Sequence, residues 1–139
     1  MKIAFCSYLG IVGSAITYLV GGWSEAITTL LIFMIIDYIM GLVVAGVYSK
    51  SPKSQSGKLE SRAGWKGLMK KCVTLLFIII ANRLDLQLQT TYIKDGVCIA
   101  FIVNELISIV ENGGLMGIPI PKIISKSIDL LNKEGDANE

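Results

Sequence analysis

Three polar residues stand inside apolar stretches of this sequence, and they are the first place to look for chemistry. Asp37 is the one formally charged residue in the 23 residues Ala26–Tyr48, AITTLLIFMIIDYIMGLVVAGVY. Asn104 and Glu105 sit near the middle of Val97–Val110, VCIAFIVNELISIV, with Glu111 directly after it. A carboxylate in such surroundings can exchange a proton, face water or hold helices together, and ionisable groups inside membrane segments are functional by default. Acid–base catalysis is poorly served. There is no His, which removes the most frequent general base and the commonest metal ligand. Cys6, Cys72 and Cys98 are scattered without a CxxC pair, so they make no metal or redox motif and read as reduced packing residues. With no nucleophile–base pair and no glycine-rich phosphate loop, the reading assigns no catalytic residue, no cofactor and no metal.

The elements that carry these residues are membrane-sized. Of the 139 residues, 53% are apolar and 17% charged, and mean hydropathy is +0.62. Long continuous runs, rather than alternating ones, produce this composition, which favours helices over a barrel. The 23-residue stretch reaches about 35 Å as a helix, enough to cross a hydrocarbon core of about 30 Å. Asp37 then lies at mid-bilayer. Asp37, Gly41 and Ala45 are four apart and share one face, a stripe suited to close helix contact. Leu31, Ile35, Ile39 and Leu42 are expected to face lipid. Ahead of it, Ile3–Val20 gives a further span of about 27 Å, read as a retained first helix rather than a signal peptide, with Gly10 and Ser14 as a small-residue pair. Gly21–Glu25 is a turn, and Trp23 sits at an interfacial position.

Residues 49–71, SKSPKSQSGKLESRAGWKGLMKK, carry seven basic residues against Glu60. Lys58, Arg62, Lys66 and Lys70 recur every four residues, and Trp65, Leu68, Met69 and Cys72 follow a helical apolar spacing. The pattern predicts a basic amphipathic helix on an anionic leaflet. The next apolar run, Cys72–Ala81, is too short to span and reaches length only by taking in Asn82, Arg83 and Asp85. Gly113, Gly114 and Gly117 predict a flexible exit from the last apolar segment. From Ile120, positions 120, 123, 124, 128 and 131 mark an amphipathic helix, and the final GDANE is expected to fray.

With the N-terminus, central loop and tail inside, eleven of the thirteen Lys and Arg are cytoplasmic and only Arg83 and Lys94 are outside, as the positive-inside rule requires. The fold class is therefore all-α: a multi-pass helical membrane protein with three to four transmembrane or membrane-embedded helices plus amphipathic surface helices. Its membrane domain covers 1–112, with segments near 3–20, 26–48, 72–88 and 97–110 and the basic cytoplasmic loop 49–71. A cytoplasmic amphipathic tail covers 113–139. Both termini are cytoplasmic. Expected partners are further copies of the chain and anionic membrane lipid, and not nucleic acid, because the basic residues flank membrane segments.

Three stretches, DYIMGLVVAGVYSKSPKS (Asp37–Ser54), SRAGWKGLMKK (Ser61–Lys71) and NELISIVENGGLMGIPIPK (Asn104–Lys122), resemble the toxin-secretion/phage-lysis holin family and are close to clostridial toxin-secretion holins. The resemblance covers roughly Ile35–Lys122. It implies a small protein of the bacterial cytoplasmic membrane that oligomerises and forms pores or lesions releasing a large toxin or a phage endolysin, without enzymatic chemistry. Asp37, Gly41, Ala45, Asn104 and Glu105 are the oligomerisation or pore candidates. Some holins pair long and short products from nearby starts; no Met lies between Met1 and Met34, so an internal ATG start would not give a nearly full-length second product. Two rival classes share the same residues. A small proton-coupled transporter would use Asp37, and a lipid-modifying membrane enzyme would use Asn104, Glu105 and Glu111.

Overall fold

Ser24 sets the start of the central helix. Its Oγ accepts a hydrogen bond from the Ile27 amide at 3.3 Å, and Glu25 occupies the first turn, where an acidic side chain meets the positive end of the helix dipole. Before it, the chain reverses through Gly21 and Gly22. Gly21 lies so close to the Asn82 side chain that a Cβ there would collide with it, which is the physical demand for glycine at this turn. The structure, a computed structural model, describes residues 1–137. It comprises α1 (Lys2–Leu19), α2 (Glu25–Gly46), α3 (Ser61–Leu88), α4 (Ile93–Leu115) and α5 (Lys122–Ala137), with no strand among the described residues. Asn138 and Glu139, the last two residues of the tail expected to fray, lie outside them.

Polar contacts fix the direction of each helix. Lys94 on α4 donates to the Val20 carbonyl just before α2, while Asn112 reaches Asp37 and Met40 lies beside Gly113 further along. So α2 and α4 run parallel. Asn82 of α3 donates to the Leu19 carbonyl, and Tyr38 donates to the Gly64 carbonyl at the far end, so α3 runs antiparallel to both. Val20, Ile27, Leu30, Met34, Ile78, Cys98 and Ile102 form the buried apolar core at the amino-terminal end of α2 and α4. α5 folds back along α4, with Ile120 against Gly113, Gly135 near Ile99, and Leu131 on the core.

The bundle buries several polar residues beside its apolar core and turns many apolar side chains outward. Buried polar residues include Asp37, Asn82, Asp85, Glu105 and Asn112, while Ile35 and Ile39 of α2 and Phe77 and Ile80 of α3 point outward. No residue of α1 is buried. Apolar side chains in that number would be costly to hydrate; in lipid they are at no disadvantage. Two helices, α1 and α2, are long and apolar enough to cross a membrane. The chain therefore has two clear candidate spans where the sequence predicts three or four membrane segments.

Several boundaries differ from the sequence expectation. The basic segment does not form its own element. Helix α3 starts at Ser61 and runs unbroken through the apolar run, 28 residues and about 42 Å, so residues 61–71 are helical as their spacing predicts but continue directly into the next segment. Lys58 precedes it in a turn-rich connection. Helix α4 extends beyond 97–110 at both ends. At its start, Asp85 accepts from the Ile93 and Lys94 amides at 3.0 and 2.8 Å and from the Thr90 hydroxyl at 2.6 Å. This carboxylate satisfies the otherwise orphaned first-turn amides. At its end the helix passes through Gly113 and Gly114, because Ile120 packs directly on Gly113 and tertiary contact outweighs low intrinsic propensity. The exit comes at Gly117, with φ +77°. Leu31 packs against the core rather than facing outward, and Ile123 of the predicted apolar face of α5 is exposed.

Candidate functional site

α2, α3 and α4 each bring one ionisable side chain to a single point about midway along the bundle. Lys71 Nζ donates to Asp37 Oδ2 at 2.7 Å and to Glu105 Oε2 at 2.5 Å. Asn112 Nδ2 donates to the second Asp37 oxygen, Oδ1, at 3.0 Å. The side chains of Asp37, Glu105 and Lys71 are 5%, 8% and 14% exposed. Charges this buried persist only when paired and hydrogen-bonded. Here one ammonium serves two carboxylates, so the group carries one negative charge in excess when both acids are ionised. Among the described residues, no buried side-chain nitrogen or oxygen lacks a partner.

Each helix presents its member by simple periodicity. On α3, Lys71, Leu75, Ile78, Asn82 and Asp85 follow an i, i+4, i+7, i+11, i+14 stripe, and from Leu75 onward it is the packed side of that helix. On α4, Cys98, Ile102, Glu105 and Asn112 lie on one inward stripe. Met34 and Asp37 continue the buried face of α2. The cluster is thus the continuation of the apolar core, with three charges where the core would otherwise hold aliphatic residues.

A cleft of about 900 Å³ leads to the cluster from the end of the bundle that carries the 47–60 connection. It lies between α2 and α4 on one side and the amino-terminal half of α3 on the other. Asp37, Gly41 and Ala45 all line it, so the predicted stripe of α2 faces this opening. A Cβ placed on Gly41 would meet nothing within 4 Å. Asn104 is exposed at the cleft wall and does not join the network, so the structure separates it from its neighbour Glu105. Glu111 is likewise exposed. Lys58, Lys66 and Lys70 line the cleft, and Arg62 lies outside it.

Sequence reasoning missed Lys71 and Asn112 as members of the site. Both were findable. Two acids buried in apolar segments favour a nearby cation, and Lys71 is the basic residue in register with the apolar stripe of α3, seven residues before Ile78. Chemically, the arrangement can hold charge, exchange a proton and tie three helices together. Among the described residues no three His, Cys, Asp or Glu side chains converge as metal ligands would.

The profile of the bacteriophage holin family matches residues 14–133. An uncharacterized protein of Halalkalibacterium halodurans is 34% identical over 93% of both chains. An uncharacterized 14.9 kDa protein of Clostridium perfringens is 34% identical over 88% of both chains. A protein of Bacillus phage phi105 named a probable holin is 29% identical, over 77% of this chain and 74% of its own. No solved structure matches the chain.

Proposed function

From the premise that the chain belongs to the bacteriophage holin family, we propose that it assembles in the bacterial cytoplasmic membrane and opens lesions through which an endolysin or a large toxin leaves the cell. Family membership by itself points to a holin-like, non-enzymatic role, and together with α1 and α2 it points to a membrane protein. The observation that carries the finer reading is the Asp37–Lys71–Glu105 cluster at the heart of a bundle with an apolar exterior. A closed packing stabilised by shared buried charge can be exchanged for an open assembly in which water solvates the same groups.

In this reading α1 to α4 form the membrane domain, and the amino terminus and the 47–60 connection are cytoplasmic. α3 and α4 enter the membrane with their polar residues turned toward α2. The parallel course of α2 and α4 and the opposite course of α3 suit this alternation. The tail expected from sequence to be a separate cytoplasmic piece instead has α5 lying back along α4, with Gly135 near Ile99 and Leu131 on the core. Copies assemble through the Asp37–Gly41–Ala45 face; within one chain Asp37 and Ala45 are buried while Gly41 has open space around its Cβ, so an interface here needs the cleft between α2 and α3 to open, and anionic lipid is the further partner. The buried carboxylates also suit a small proton-coupled transporter, and this second reading is separated from the first by the size of what crosses the membrane.

The test is release of a co-expressed endolysin from bacterial cells. Expression of the wild-type chain should produce abrupt lysis dependent on the endolysin. Growth unaffected by co-expression, with the chain present in the membrane, would refute the proposal.

A further inference from the structure

The cleft that reaches the charge cluster has a mouth whose composition the proposed function does not use. Lys53, Lys58, Lys66 and Lys70 all line it. The ion pairs of the described residues all belong to Lys71, so among those residues none of these four ammonium groups has a carboxylate within 4.0 Å. The acids of the same cleft are otherwise engaged or peripheral. Asp37 and Glu105 are held by Lys71, Glu60 accepts from the Ser56 hydroxyl at 2.8 Å, and Glu111 is exposed. Five lysines and four acids line the cleft, which leaves one positive charge in excess; the four lysines at the mouth repel one another, and an anion relieves that repulsion.

The wall below the mouth is mixed, with apolar residues beside Thr74, Asn104, Ser108 and the charge cluster. Leu42, Val73 and Ile107 line the cleft and are also partly exposed on the outside of the bundle, so the cavity is continuous with the surface that meets lipid. A free inorganic anion would use the lysines alone. A molecule with an anionic head and a hydrocarbon chain would use both parts. The volume, about 900 Å³, falls in the range of about 300–1,000 Å³ typical of small-molecule sites. Basic pockets between membrane helices on the cytoplasmic side are where anionic headgroups bind.

We infer that this cleft is a binding site for one anionic phospholipid of the inner leaflet, its phosphate held by Lys53, Lys58, Lys66 and Lys70 and its acyl chain laid along Leu42, Val73 and Ile107. The lysines predicted from sequence to rest on the leaflet surface instead draw a lipid into the bundle, beside Asp37. The inference rests on the membrane-embedded reading but not on lesion formation.

The experiment is native mass spectrometry of the purified full-length chain released from nanodiscs containing phosphatidylglycerol and phosphatidylcholine in equal amounts. Wild type should retain one phosphatidylglycerol in preference to phosphatidylcholine. Lys66→Gln/Lys70→Gln should lose that retention by roughly tenfold or more. Lys50→Gln/Arg62→Gln, which removes the same charge outside the cleft, should retain the lipid within about twofold, since only diffuse attraction is lost. Lys53→Gln/Lys58→Gln, in the connection, repeats the cleft test without touching a helix, and circular dichroism checks helix content for each pair. Equal loss in the cleft and control pairs would overturn the site in favour of general surface attraction. Equal retention of the two lipids, or full displacement by millimolar inorganic phosphate, would overturn the lipid assignment. Retention is read without any release assay, so a chain that binds phosphatidylglycerol but opens no membrane would refute the lesion reading alone.

Discussion

Replacing Lys71 with Met would remove the ammonium that two buried carboxylates share. Asp37 would keep the hydrogen bond from Asn112, and Glu105 would keep no partner. Both acids are more than nine-tenths buried, so water cannot readily replace the lost charge. Deleting one member of a buried pair costs about 3–5 kcal/mol, chiefly because the survivor is left uncompensated. Here two survivors remain, but one can take up a proton, which holds the expected loss near the lower bound, about 3 kcal/mol. The triple variant Lys71→Met/Asp37→Asn/Glu105→Gln has no uncompensated charge and should recover to within about 1 kcal/mol of wild type, since replacing a whole buried ionic group is often neutral. Denaturant titration of the detergent-solubilised chain, followed by circular dichroism, measures each difference. A loss below about 0.5 kcal/mol for Lys71→Met, or a triple variant as unstable as the single one, would refute the cluster as a buried network.

Four further outcomes follow from named contacts. Asp37→Asn keeps shape and hydrogen-bonding capacity, so the variant should reach normal membrane levels while the time of lysis shifts; wild-type timing would remove Asp37 from the functional residues. Gly41→Leu meets no atom near its Cβ within the chain, so it should leave helix content intact while reducing crosslinked oligomers; unchanged oligomer size and yield would exclude this face as the interface. Asp85→Ala strips the first-turn amides of α4 and should cost about 1–2 kcal/mol, read as faster hydrogen exchange at Ile93 and Lys94; unchanged exchange would show that the cap is dispensable. Ser54→Cys, after replacement of the native cysteines, should resist impermeant thiol reagents in intact cells, and ready labelling would reverse the proposed topology.

The sequence exposed the parts of the fold governed by continuous apolar length. α1 and α2 fall within one or two residues of their expected bounds, because nothing in those runs competes with helix. The interior placement of Asp37 also followed directly, since a lone carboxylate in lipid has few alternatives. α3 was harder to read. Its first third is basic and contains Gly64 and Gly67, its last two-thirds are apolar, and no single periodicity announces one continuous helix. The ends of α4 depend on contacts distant in sequence, Asp85 beneath its first turn and Ile120 over Gly113, and local propensity is blind to both. Lys71 was absorbed into a charge-rich stretch whose topological role seemed sufficient. Its register with Ile78 and Asp85 was the available clue. For α5 the amphipathic pattern was clear, but a pattern alone does not say whether lipid or α4 covers the apolar side.

The central claim is that a bundle held closed by buried charge opens the membrane to large solutes. Size-graded release from vesicles tests it most directly. Purified wild-type chain reconstituted into vesicles loaded with a small dye and with fluorescent dextrans should release both, and Asp37→Asn should release them with altered onset. Passage of protons or the small dye alone, or identical onset in wild type and Asp37→Asn, would contradict the account.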